Sequence, residues 1–281
     1  MKNIIMLANN VEYLELFFSK LPSGFFDKFI LHLFVDTRIT KFEDIKKFKI
    51  NDKIALYNGN DIMDFYKDKY SINNDLLNKY FFSTRFMMLW YYFTVMMKYD
   101  ALMIDDDVLI LDNNIEKIFD YGNFAMSDAY CRLNPEEINK QRIFFNLCDI
   151  FELDIDLLDY NKLNINTGIC HIVDNPRIGM YINKFFRNEF FNDEITRLKN
   201  IVDISEWKRS KIYFLDQYFI NFYFRKNGFK IYRNNEVKMR LLQCKFKYFN
   251  QNSLKIRPDI LHYCCTSKDK LQYVKWLKEN I

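Results

Sequence analysis

Glycine and proline are scarce: the 281 residues hold only 6 Gly and 4 Pro. The chain accordingly shows no boundary linker, internal repeat or low-complexity tract. Its first apolar segment runs into Ala8-Asn9-Asn10-Val11, with no glycine-rich, basic phosphate loop. No uninterrupted apolar span of about 20 residues exists, which excludes an obvious membrane-crossing helix. The most apolar window, Phe81 to Met97, is broken by Ser83, Thr84 and Arg85 and reads as part of a buried helix. The apolar run after Lys2 reaches only from Ile4 to Ala8, too short for a secretory signal. Cysteines at 131, 148, 170, 244, 264 and 265 lack zinc-ligand spacing. They suit reduced thiols, and a cytoplasmic location is expected.

What is present is an apolar fraction of 49% and a charged fraction of 28%, ordinary for a soluble globular protein. The length suits one large domain or two small ones, with a substantial core. The 29 Phe and 19 Tyr accompany many Asn, Lys and Ile, a compositional bias that does not by itself mark a binding surface. Charge is uneven. From Glu206 onward there are 17 Lys+Arg against 6 Asp+Glu, whereas the preceding residues carry 24 against 31. A basic end after an acidic body points to phosphates, an anionic membrane surface or nucleic acid, or is simply a solvated basic face.

Along the chain, short apolar runs alternate with helical spacing. Strands are predicted at Asn3 to Ala8, Phe29 to Val35, Lys53 to Tyr57, Asn123 to Ser127 and Asn164 to Val173. Helices are predicted at Val11 to Lys20, Asn74 to Lys98, Asn113 to Asp120, Pro135 to Asp149, over 175–210, and from Leu215 to Gly228. A last amphipathic helix is predicted at Lys270 to Asn280, with Leu271, Val274 and Leu277 on its buried face. This alternation predicts a three-layer α/β fold with a mainly parallel sheet, whose ligand crevice lies at the carboxyl ends of its strands.

The stretch Ala101 to Leu111 organises the rest. Its apolar run is interrupted by Asp105-Asp106-Asp107, and aspartate is depleted in strands and almost never fully buried without a partner. The triplet therefore belongs where a buried strand ends. In an extended segment Asp105 and Asp107 would point the same way, with Asp106 turned aside. Two converging hard oxygen ligands suit Mg²⁺ or Mn²⁺ carrying substrate phosphates; a solvated acidic turn is the ordinary alternative. Each other polar landmark also has an ordinary role: Arg85 snorkelling, Asp216 as an N-cap, Gly168 as a bulge, His262 as a core histidine.

The order of these landmarks resembles the GT-A glycosyltransferases. The likeness is greatest to the retaining family 8, which includes bacterial lipooligosaccharide galactosyltransferases and glycogenin. The resemblance covers roughly residues 3 to 270. It rests on Ala8-Asn9-Asn10 after the first strand, Ser83-Thr84-Arg85, the D-x-D strand around Asp105 to Asp107, and Asn166-Thr167-Gly168. Leu215-Asp216-Gln217 with Asn221 resembles the family's D-Q-x-x-x-N helix. His262 to Lys268 resembles the family's H-x-x-G-x-x-K, with Cys265 in the glycine position and no Pro-Trp after the lysine. Tyr218 departs from the residue many members have after the glutamine.

The resemblance implies one GT-A catalytic domain over 1–281. Nucleotide-sugar binding would occupy about 1–128, and acceptor binding and completion of the metal site about 129–281. It implies transfer of a hexose from a nucleotide sugar, with UDP expected, to a glycan, lipid-linked or protein acceptor, with retention. Mn²⁺ or Mg²⁺ would be held by Asp105, Asp107 and His262. Ala8, Asn9, Asn10, Arg85, Asp106, Asn166, Gly168 and Lys268 would contact the donor; Asp216, Gln217 and Asp128 are the candidate catalytic residues. Asp106 would turn to the ribose or the backbone. The basic C-terminal part would allow peripheral contact with an anionic membrane on the cytoplasmic side, and no nucleic acid is expected. Two alternatives stay open: a divergent, non-catalytic carbohydrate- or nucleotide-binding protein, and a sugar nucleotidyltransferase, which would want the phosphate loop missing after residue 7.

Overall fold

The computed structural model describes residues 1–37, 39–70, 100–128, 142–153, 164–173, 175–187, 215–228, 230–231, 236–242, 245–264 and 267–281. The helix predicted at Asn74 to Lys98, with Arg85, lies outside them, as do much of the Pro135 and 175–210 segments.

Strand β1 (Lys2–Leu7) leads into α1 (Val11–Lys20). The Asn10 side chain caps α1, its Oδ1 accepting from the amides of Glu12 at 2.9 Å and Tyr13 at 3.2 Å, so the helix starts where the sequence places it. A short α2 (Phe25–Lys28) precedes β2 (Phe29–Val35), and α3 (Phe42–Lys46) precedes β3 (Ile54–Asn58) and α4 (Gly59–Tyr70). Ala101–Ile104 forms β4 and Val108–Ile110 forms β5, followed by a 3₁₀ helix over Asn113–Asp120 and by β6 (Phe124–Asp128). Then come α5 (Arg142–Phe151), β7 (Asn164–Ile172), α6 (Asn175–Phe186), α7 (Leu215–Asn227), β8 (Lys230–Ile231) and β9 (Met239–Leu241). Strand β10 (Ile260–His262) and helix α8 (Ser267–Asn280) complete the described elements.

A seven-stranded sheet has the order β3-β2-β1-β4-β7-β6-β8. It is mostly parallel, as predicted; β7 runs antiparallel to both β4 and β6. Strands β1, β2 and β4 are apolar and buried on nearly every residue, as strands covered on both faces must be. Chain order runs outward from β1 through β2 to β3, then returns to place β4 on the other side of β1. The β1/β4 boundary is thus a topological switch point, where a crevice opens at the carboxyl ends. A second sheet, β5-β10-β9, stands beside that end.

The apolar stretch at Ala101 to Leu111 is therefore two strands in two sheets. Asp106 and Asp107 form a turn between them, because buried carboxylates cannot continue a strand interior without partners. On α8 the buried residues are Tyr273, Val274 and Leu277, while Leu271 is half exposed. A step of i, i+1, i+4 holds the helix face more squarely than the repeated step of three read from the sequence. No described helix is long and apolar enough to cross a membrane.

Candidate active site

Two backbone anchors position the acidic triplet. The Asp105 amide donates to the Gly168 carbonyl at 2.9 Å. There β7 bulges: Ala125 pairs with Cys170 but Met126 with Asn166, so residues 167–169 are looped out of the ladder opposite β6. The second anchor is the antiparallel pairing of β5 with β10, in which His262 lies opposite Val108. The amide of Tyr263 donates to the Asp107 carbonyl at 3.0 Å. Asp107 and His262 are thereby fixed face to face by main-chain geometry.

Their side chains meet in the interior. His262 Nε2 lies 3.1 Å from Asp107 Oδ1, with both side chains almost fully buried. That is ion-pair distance, yet neither ring nitrogen nor Oδ1 makes a well-aligned hydrogen bond. The Lys270 ammonium, from the first turn of α8, pairs with the other oxygen of Asp107. The ligating atoms of Asp107, His262 and Cys264 all lie within 4.8 Å of one another. Asp107, His262 and Cys264 are thus a group that could hold a divalent cation.

The electrostatics follow from this packing. Burial works against the Asp107 carboxylate, but the positive charges of His262 and Lys270 outweigh it and hold it well below the usual range. Burial likewise works against His262⁺, and the Asp107 carboxylate reverses that and pushes the imidazole upward. Asp106 keeps some exposed surface but is otherwise enclosed. Burial first, then the charges of Asp107 and Asp105, push it up to about 8 against the opposing pull of Lys270 and the Asn9 amide.

Asp106 joins the triplet to β1. The Asn9 amide donates to Asp106 Oδ2 at 3.3 Å, and Thr40 Oγ1 donates to the Asn9 carbonyl. Ala8 is fully buried, its amide bonded to the Phe34 carbonyl at 2.7 Å. The ends of β1 and β4 thus stand side by side, as their register of Met6 with Ile104 requires.

Of the residues singled out in the sequence, the structure gathers Asn9, Asp106, Asp107 and His262, with Gly168 holding the backbone of Asp105. The group of possible ligands is Asp107, His262 and Cys264; Asp105 precedes the turn at 106–107 and is not among them. Asn10 spends its side-chain oxygen on the α1 cap. Lys268 is exposed in the first turn of α8, while Lys270 two residues later reaches Asp107. Asp128 ends β6, Asn166 lies in β7, and Asp216 and Gln217 open α7; their side chains, like all of Arg85, lie outside the described residues.

Sequence reasoning missed Cys264 and Lys270. Cys264 follows His262 by two, the spacing that puts side chains on one side of an extended segment, and that alternation was a usable signal. Lys270 carried none beyond its proximity to the expected lysine.

No protein-family model matches the sequence, and no curated protein matches it. Solved structures do. A crystal structure of an active-site mutant of LgtC aligns with a TM-score of 0.51 at 13% identity, covering 98% of this chain and 95% of that one. The chain has the GT-A glycosyltransferase fold. The galactosyltransferase LgtC with donor and acceptor sugar analogs gives a TM-score of 0.48 at 13% identity, over 99% of this chain and 94% of that one. Mouse xyloside xylosyltransferase 1 in its apo form gives 0.49 at 10% identity, over 93% and 97%. On this GT-A fold the Asp107–His262 pair sits at the carboxyl end of the central strands, beside the β1/β4 switch point.

Proposed function

We propose that the chain is a metal-dependent glycosyltransferase of the retaining kind. It moves a hexose from a nucleotide sugar, UDP being the expected nucleotide, to a glycan, lipid-linked or protein acceptor. The observation that carries this reading is the convergence of Asp107 and His262, buried and poorly aligned with each other, at the switch-point end of a GT-A sheet.

Glycosyl transfer from such a donor releases a nucleoside diphosphate, and charge develops on the departing oxygen. Mn²⁺ or Mg²⁺ held by Asp107 and His262 would act there as a Lewis acid. The chain's own cations add to this. Lys270 is already at Asp107, and exposed Lys268 brings a further positive charge to the same helix start. Asp105 is the further carboxylate assigned to the metal, and Asp106, accepting from the Asn9 amide, is assigned to the donor's ribose or the backbone. Asn9 and Ala8 offer the end of β1 to the nucleoside. Arg85, Asn166 and Gly168 are assigned to the donor, and Asp216, Gln217 and Asp128 to the neighbourhood of the anomeric carbon, with 1–281 acting as one catalytic domain.

The test is donor turnover without acceptor. Incubated with single nucleotide sugars and Mn²⁺, the protein releases free nucleoside diphosphate from one of them, and chelation or Asp107→Asn stops the release. A second reading, a non-catalytic nucleotide-sugar binder, draws on the ion pair that already neutralises Asp107. Donor binding that survives chelation and yields no diphosphate selects it.

A further inference from the structure

The ligand cluster contains a group that the D-x-D pattern does not supply. Cys264 brings its sulfur to the buried Asp107 and His262, with the three ligating atoms mutually within 4.8 Å. It is only partly exposed, and it follows directly on the β5/β10 pairing that fixes His262, so its position is set by the same ladder.

Ideal tetrahedral zinc bonds of about 2.0–2.3 Å place neighbouring ligand atoms roughly 3.3–3.7 Å apart. The Asp107–His262 edge, at 3.1 Å, is already near that value. The edges to Cys264 lie within 4.8 Å, so closing the third corner draws its sulfur inward by about 1 Å at most. Three protein donors also leave one position open, which is the arrangement of a catalytic rather than a structural site.

The donor types decide the metal. Mg²⁺ demands near-octahedral oxygen coordination, and sulfur is a poor partner for it. One carboxylate, one imidazole and one thiolate make a mixed, softer set that suits Zn²⁺ or Co²⁺. The ordinary role for Cys264 is a weak hydrogen bond with the imidazole, and neither ring nitrogen of His262 has a well-aligned partner.

We propose that Cys264 is a metal ligand, and that Asp107, His262 and Cys264 form a three-donor site selective for Zn²⁺ or Co²⁺ over Mg²⁺. On binding, the thiol gives up its proton to solvent and coordinates as thiolate, while the Lys270 ammonium moves off Asp107. The proposal rests on the metal site of the function above, but not on sugar transfer.

Titration of the metal-free full chain with Co²⁺ tests it. The wild type develops a thiolate-to-cobalt charge-transfer band in the near ultraviolet together with intense visible bands of tetrahedral cobalt. Cys264→Ser removes the near-ultraviolet band and weakens Zn²⁺ binding about tenfold or more, with Mn²⁺ affinity little changed. Cys265→Ser keeps the band. Cobalt binding to the wild type without a thiolate band overturns the proposal, as does failure to bind cobalt or a band that survives in Cys264→Ser. The wild-type spectrum decides even where a variant folds poorly. A thiolate band without donor turnover refutes the transfer reading alone; manganese-dependent turnover without the band refutes the Cys264 ligand alone.

Discussion

The Lys270 ammonium rests against one oxygen of Asp107 while Nε2 of His262 faces the other at 3.1 Å. The lysine is thus a resident counter-ion, which a metal entering the proposed site would have to displace. Lys270→Met removes the competitor, and Mn²⁺ affinity is expected to rise about tenfold, or about 1.4 kcal/mol. The metal-free variant melts lower, because a buried carboxylate has lost a partner. Thermal melts with and without Mn²⁺ check both statements; an unchanged metal-induced shift shows that the ammonium does not compete.

Asp107→Asn preserves the shape of the turn and removes the charge that His262 and Lys270 share and that the proposed metal would need. Donor turnover should fall by roughly 10²–10³ or more, with the circular dichroism spectrum retained. A fully active Asp107→Asn protein would refute the site assignment.

Acid sensitivity should come from a histidine outside the candidate site. His32 is bonded to Asn3 Oδ1 at 3.0 Å and to the Tyr57 hydroxyl at 3.1 Å, and burial lowers its pKa to about 4. The unfolded chain binds the proton at about 6.5, so the neutral form contributes stability that is complete above that pH. It is lost as pH falls from 6.5 through 4, by about 3 kcal/mol at most. Urea unfolding at stepped pH measures this, and His32→Gln should flatten the curve across that window.

Gly59 opens α4 where its backbone passes Val35. A Cβ built there would stand 2.4 Å from the Val35 carbonyl oxygen, a main-chain atom that cannot rotate away. Gly59→Ala should destabilise the protein by about 1–3 kcal/mol, read as a lower melting temperature. An unchanged melting temperature would mean that β2 and α4 separate at little cost.

Much of the sheet was legible because its strands announce themselves as short apolar runs bounded by polar residues. β2 and α1 fall on their predicted residues, α1 because Asn10 is a strong cap followed by helical spacing. The triplet's importance was legible for the same reason: carboxylates inside an apolar run demand an explanation. Its local shape was not. Periodicity describes a strand but does not say where one sheet hands the chain to another, so Asp105 and Asp107 looked like neighbours on one face. His262 could be read as a core histidine or a metal ligand, and resemblance to a family motif chose between them; Cys264 and Lys270 were not reached at all. Those meetings depend on long-range pairing, β5 with β10 and α8 against the triplet, which leaves no local pattern to read.

That long-range pairing also sets a timetable. About 150 residues of chain separate Asp107 from His262, so the ladder that joins them closes a very large loop. During synthesis the acidic turn emerges long before its histidine, thiol and lysine exist. The proposed metal affinity is therefore a property the polypeptide acquires only once β10 and α8 have been made. A cation in the proposed site would act as a clasp between segments made about 150 residues apart, and saturating metal should slow unfolding more than it speeds folding.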